Sequence, residues 1–96
     1  MIPVFWTELA KADYWNNIEY LENDWTSKEV SKFLDKVDEI IDLLRKGNVV
    51  FKPTIYKSTY QVVIFKQITL YYRISDNRIE LLRFWNNFQD YKKFDL

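Results

Sequence analysis

The chain has 96 residues, enough for one hydrophobic core and too few for a second. Its 14 basic and 14 acidic side chains cancel, and it contains neither cysteine nor histidine. That excludes disulfides, thiolate and imidazole metal sites, and catalytic schemes built on a Cys nucleophile or a His base. Hydrophobic residues make up 48% and aromatics 19% of the chain, so a sizeable core is affordable because each ring buries ~150–250 Å².

The N-terminal stretch MIPVFWTELAKADYW has no basic region ahead of a long apolar run, so no signal peptide is expected. No segment approaches the ~20 apolar residues of a membrane span. The expectation is a cytoplasmic protein of one domain, residues 1–96, with no membrane contact.

In chain order, Pro3-Val-Phe-Trp6 is a short apolar run read as a first strand, with proline near its start where an edge tolerates it. Thr7 offers an N-cap hydroxyl with Glu8 in the first turn, and Ala10, Tyr14, Ile18, Leu21 and Trp25 recur at helical spacing. Thr26 and Glu29 then form a capping box ahead of a stripe of Val30, Phe33, Leu34, Val37, Ile40, Ile41 and Leu44. This second helix ends at Arg45, Lys46 and Gly47, the only glycine, which suits the left-handed position after a helix.

Asn48 to Tyr56 lacks periodicity and contains Pro53, so it reads as a loop or a frayed edge strand. Thr59–Phe65, Ile68–Ser75 and Arg78–Trp85 are rich in β-branched and aromatic residues, and the spacers Lys66-Gln67 and Asp76-Asn77 suit hairpin turns. An antiparallel meander follows, with one face over the helix pair and the other offering aromatics outward. Asn86 to Leu96 is a polar and aromatic tail without a clear period. The fold class is therefore α+β: a short N-terminal strand and a two-helix hairpin packed on an antiparallel sheet.

The neutral total conceals a division. Residues 1–48 carry six Lys/Arg against ten Asp/Glu, a balance of −4, and residues 49–96 carry eight against four, a balance of +4. The carboxylates Glu22, Asp24, Asp35, Asp38, Glu39 and Asp42 are read as solvated helix faces. With one glycine at a helix end there is no phosphate-binding loop, and no cofactor and no metal is expected. What remains is a basic and aromatic set: Lys57, Lys66, Arg73, Arg78, Arg83, Lys92 and Lys93, interleaved with Tyr60, Tyr71, Tyr72, Trp85, Phe88 and Tyr91. Cations that hold phosphates and rings that stack on bases suit single-stranded RNA; the same residues also suit a packed core with a solubilising fringe.

Trp6-Thr7, Ala10, Tyr14, Ile18, Tyr20-Leu21, Trp25, Phe33-Leu34, Leu70-Tyr-Tyr-Arg-Ile74 and Ile79-Glu-Leu-Leu82, in this order, resemble the RelE/ParE toxin superfamily over nearly the whole chain. The resemblance implies one half of a type II toxin–antitoxin pair, with a cognate antitoxin as partner. RelE-like members cut ribosome-bound mRNA with Arg, Lys and Tyr side chains, and ParE-like members inhibit DNA gyrase. Sequences of this kind commonly carry an arginine early in the second strand, where this chain has Tyr60. Another commonly stands in the closing segment, where this chain reads Asn86-Asn87-Phe88-Gln89-Asp90-Tyr91.

An arginine that steadies a transferring phosphate contributes several kcal/mol to lowering the barrier, so the two losses argue against efficient cleavage. Three readings stand: a toxin that acts by binding, a metal-independent endoribonuclease at the ribosome, and a degenerate toxin that only binds antitoxin. Lys66, Arg83 and Tyr91 are the catalytic candidates. Lys57, Lys66, Arg73, Arg83, Trp85, Asn87 and Gln89 are candidates for contacting RNA or another target.

Overall fold

The structure is a computed structural model that describes residues 1–24, 26–47, 49–65, 67–87, 94 and 96. Its elements are β1 (Val4–Trp6), α1 (Glu8–Asp24), α2 (Ser27–Lys46), β2 (Lys52–Pro53), β3 (Thr59–Phe65), β4 (Ile68–Ser75) and β5 (Arg78–Asn86). The strands form one sheet in the order β1-β5-β4-β3-β2.

Local chemistry sets the helix ends. Thr7 Oγ1 accepts the Ala10 N–H at 3.1 Å and Thr26 Oγ1 accepts the Glu29 N–H at 3.4 Å, so both expected N-caps form. Gly47 closes α2 with φ +73°, and its N–H donates to Leu44 O at 3.1 Å. Asp76 and Asn77 both take positive φ, 45° and 64°, which is the primed turn expected between β4 and β5. The other expected turn includes Lys66, which lies outside the described residues.

β3, β4 and β5 make the antiparallel meander. The first strand completes the sheet differently: β1 runs parallel to β5, with Val4 opposite Ile79 and Trp6 opposite Leu81, so the sheet is mixed. The segment from Asn48 to Tyr56 yields a two-residue edge strand, Lys52 pairing with Gln61 and Pro53 with Tyr60.

The principal core lies between the helices and one sheet face. Ala10, Ile18 and Leu21 of α1 and Phe33, Val37, Ile40, Ile41 and Leu44 of α2 meet Ile68, Leu70 and Tyr72 of β4 and Ile79, Leu81 and Phe84 of β5. Trp6 packs between Tyr14 and Phe84, with ring centroids 5.1 and 5.3 Å away.

α1 also closes an open edge. Beyond Leu81, β5 has no β1 partner, and its register with β4 shifts between Tyr71 and Tyr72, which leaves Leu82 as an extra residue. Side chains of α1 take over: Thr7 Oγ1 donates to Leu81 O at 2.9 Å, Asp13 Oδ2 accepts the Phe84 N–H at 3.1 Å, and Asn17 Nδ2 donates to Phe84 O at 2.9 Å. A sheet edge that would otherwise template aggregation is thereby satisfied from within.

Candidate functional site

The candidate site is the sheet face turned away from the helices. Strand alternation sends Gln61 and Val63 of β3, Thr69, Tyr71 and Arg73 of β4, and Arg83 and Trp85 of β5 away from the row of core residues between them. The expectation that its aromatics face outward is corrected. Tyr71 and Trp85 are buried there with Leu82 as a second, smaller core, and Phe94 packs edge-on against both at 4.8 and 5.0 Å. Two large rings on one face are covered by the chain's own apolar side chains, as their burial energy favours.

What stays open is the β2 side of this face. A cleft of about 570 Å³ lies between the segment from Lys52 to Tyr56, Gln61, Tyr71 and Phe94. Its rim is a tied turn. Thr54 N donates to Thr59 O at 2.9 Å, Thr54 Oγ1 accepts the Tyr56 N–H at 3.1 Å, and Thr59 Oγ1 donates to Lys57 O at 2.9 Å. This holds Ile55, 94% exposed, with Tyr56 and Lys57 out in solvent.

Lys57 sits on that exposed turn, and Arg73 is half-buried on β4 opposite Thr59 and Glu80. Lys57 and Arg73 therefore share one end of the cleft face, and neither side chain has an ionic partner among the described residues. Asn87 is a brace: its Nδ2 donates to Thr69 Oγ1 at 3.1 Å and its N–H to Gln67 O at 2.7 Å. Lys66, Phe88, Gln89 and Tyr91 lie outside the described residues.

Arg83 and Trp85 do not join an exposed group. Arg83 donates from Nε to Asp13 Oδ2 at 2.6 Å and from Nη2 to Asp13 Oδ1 at 3.0 Å, with side-chain exposures of 11% and 12% for the pair. Trp85 is 1% exposed and carries the Arg83 guanidinium 5.2 Å from its ring, so the indole is a packing surface rather than a platform for a base.

Tyr60 belongs to the core side as well, stacked on Tyr72 at 5.6 Å. The side chain that its strand presents to the cleft is its neutral neighbour Gln61. Tyr72 in turn accepts the Phe51 N–H at 3.1 Å; burial pushes its phenol above the ordinary value, the Phe51 hydrogen bond pulls it back in part, and Tyr60 adds to the rise.

Sequence reasoning passed over Asp13, Asn17 and the cleft. A signal existed for the first two: they stand four residues apart beside the apolar stripe Ala10-Tyr14-Ile18, where a polar pair implies buried partners. Nothing local marks the cleft, because it forms from β2, β3, β4 and Phe94 together. Among the described residues no group of three or more Asp or Glu is placed to hold a metal ion, and no helix is long and apolar enough to cross a membrane.

A family model described as the ParE toxin of the type II toxin–antitoxin system parDE matches residues 4–91. The chain belongs to the ParE toxin family. No curated protein matches it. Among solved structures, the chromosomal ParDE system of P. aeruginosa is similar at 16% identity, with TM-score 0.70 and coverage of 86% of this chain and 92% of that one. A copper-bound mutant toxin from Helicobacter pylori follows at 19% identity, TM-score 0.62 and coverages of 86% and 91%. The YoeB dimer from Staphylococcus aureus gives 16%, 0.58, and 85% and 92%. At these identities the likeness establishes the fold, and the ParE-family α+β architecture is the one described above, helix hairpin on a five-stranded mixed sheet.

Proposed function

We propose that this ParE-family chain is the toxin of a type II pair that acts by binding a cellular target, DNA gyrase being the one the family suggests, and that a cognate antitoxin neutralises it. One observation carries the choice of binding over RNA cleavage: Arg83 is committed to Asp13 by two short charge-assisted bonds at low exposure, and so is withheld from an incoming phosphate. Gln61 on the cleft and the burial of Trp85 support the same reading, since neither supplies a cation or an open ring. The matched family and the ParDE system among its structural neighbours support an antitoxin partner.

The alternative is a metal-independent endoribonuclease at the ribosome, favoured by Lys57 and Arg73, cations without an ionic partner among the described residues, near an aromatic cleft. Inducible expression of the chain alone, with growth followed beside primer extension on abundant mRNAs, separates the readings. Growth arrest with intact mRNA and loss of gyrase supercoiling activity is the expected outcome. Codon-phased cuts would establish the ribonuclease, and normal growth with folded protein would mark a toxin that only binds antitoxin.

A further inference from the structure

Where β1 passes into α1, three aromatic rings surround a small hollow. Tyr14 and Trp15 are consecutive on α1, so they point about 100° apart around the helix. Tyr14 leans against the core, and Trp15 stays 65% exposed. Trp6 of β1 is fixed by stacking on Phe84 at 5.3 Å and meets Tyr14 edge-on, with centroids 5.1 Å apart and planes at 81°. Trp15 meets Tyr14 in the same way, at 5.5 Å and 77°.

These rings and Lys11, one turn before Trp15, line a cavity of about 230 Å³. That is below the ~300–1,000 Å³ that drug-sized ligands fill, and is room for one small molecule. The cavity lies by β1, at the opposite edge of the sheet from the cleft beside β2.

The lining is chemically divided. Ring faces are electron-rich and attract cations, Trp most strongly. Walls set steeply to a central ring suit a rounded methylated ammonium group, whereas a flat ligand stacks best against a parallel face. The surrounding charge points the same way. Residues 1–48 balance at −4, and the Tyr14 phenol is raised by burial and then by Asp38, an exposed α2 residue without an ionic partner among the described residues. Lys11 is the exception, an ammonium at the rim. It is held at 3.3 Å by Glu8, whose side chain is 91% exposed, and its remaining N–H donors are open to an incoming anion.

We propose that this cavity binds a small zwitterion of the betaine class. Its trimethylammonium group sits among Trp6, Tyr14 and Trp15, and its carboxylate, carried on a short carbon link, meets Lys11. A plain onium ion would leave Lys11 as a repelling neighbour, and a plain carboxylate would leave the rings without a cation. The site involves neither Lys57 nor Arg73 and stands whether the chain arrests growth or not.

The test is a titration of the full chain with glycine betaine, followed through the assigned indole N–H signals of Trp6 and Trp15 in two-dimensional NMR spectra. Both are expected to shift and saturate, and the signal of buried Trp85 to stay in place. Two ligands divide the contributions on the unaltered chain. 3,3-Dimethylbutanoate has the same shape with a neutral carbon in place of nitrogen, and is expected to bind about fivefold more weakly or worse. Choline keeps the onium and lacks the carboxylate, and is also expected to bind more weakly than betaine.

Variants at exposed positions complete the test. Trp15→Ala weakens betaine binding by about fivefold or more, and Trp15→Leu, which returns apolar bulk without a ring, does not rescue it. Lys11→Met weakens betaine but leaves choline unchanged or tighter. Equal binding of 3,3-dimethylbutanoate overturns the proposal, because the cavity is then merely apolar. Benzoate binding more tightly than betaine also overturns it and assigns the cavity to flat aromatic acids. So do shifts that never saturate, or betaine binding that Trp15→Leu or Lys11→Met leaves unchanged.

Discussion

Asp13 of α1 grips Arg83 of β5 with both carboxylate oxygens and uses Oδ2 a second time to accept the Phe84 backbone N–H. One side chain thus neutralises a buried cation and closes the edge of a strand that has run past its β1 neighbour. Asp13→Ala leaves a guanidinium at 11% exposure without its carboxylate, a change that costs about 3 kcal/mol. In a domain of this size that lowers the melting temperature by roughly 12–24 °C. Removing both charges, Asp13→Asn with Arg83→Met, is expected to cost less than Asp13→Ala. Thermal melts by circular dichroism check the order of the three proteins.

The same contact changes how alanine variants should be read. Arg83→Ala is expected to weaken the fold before it reports on any activity, because it strips Asp13 of its partner and Trp85 of a packed cation. Lys57→Ala and Arg73→Ala act on side chains without ionic partners among the described residues and should change stability by no more than about 0.5 kcal/mol. If the binding reading holds, mRNA stays intact in cells expressing either. A loss of codon-phased cleavage on Lys57→Ala at unchanged stability would instead point to the ribonuclease.

Gly47→Ala should be costly for two separate reasons. The residue sits at φ +73°, and an added Cβ would stand 3.0 Å from Ile2 Cδ1. The left-handed backbone alone costs about 1 kcal/mol for a residue with a Cβ, and displacing Ile2 adds to it. Gly47→Asn, which tolerates this conformation better but still carries a Cβ, should fall between. Urea titration separates them, with midpoints in the order Gly, Asn, Ala.

Stability against pH should hold level from neutrality to about pH 9 as far as side chains that titrate there are concerned, since the chain has no histidine and no cysteine. Tyr14 and Tyr72 are raised above the ordinary phenol value of about 10, each first by burial, then for Tyr14 by Asp38. The unfolded chain therefore gives up these protons more readily than the folded one. Their contribution is fully present below pH ~10 and is lost as the pH rises through the folded values. Melts from pH 7 to 11 should show a decline that begins only near pH 10, reduced in Tyr72→Phe.

The elements and their ends were legible in the sequence because each rests on neighbours. The capping threonines Thr7 and Thr26, the stripe from Val30 to Leu44, Gly47 and the Asp76-Asn77 turn act within a few residues, and the structure places each as read. The ordered packing residues also carried the family resemblance, which the match over residues 4–91 bears out. What only the tertiary structure decided depends on contacts between distant residues. Asp13 meets Arg83 across 70 positions, β1 lies parallel to β5, and Phe94 covers Tyr71 and Trp85.

An alternating strand has two apolar faces until something covers one, and no local pattern says what that cover is. For that reason Trp85 looked available and is buried, while Lys52 and Gln61, unremarkable in sequence, line the open cleft.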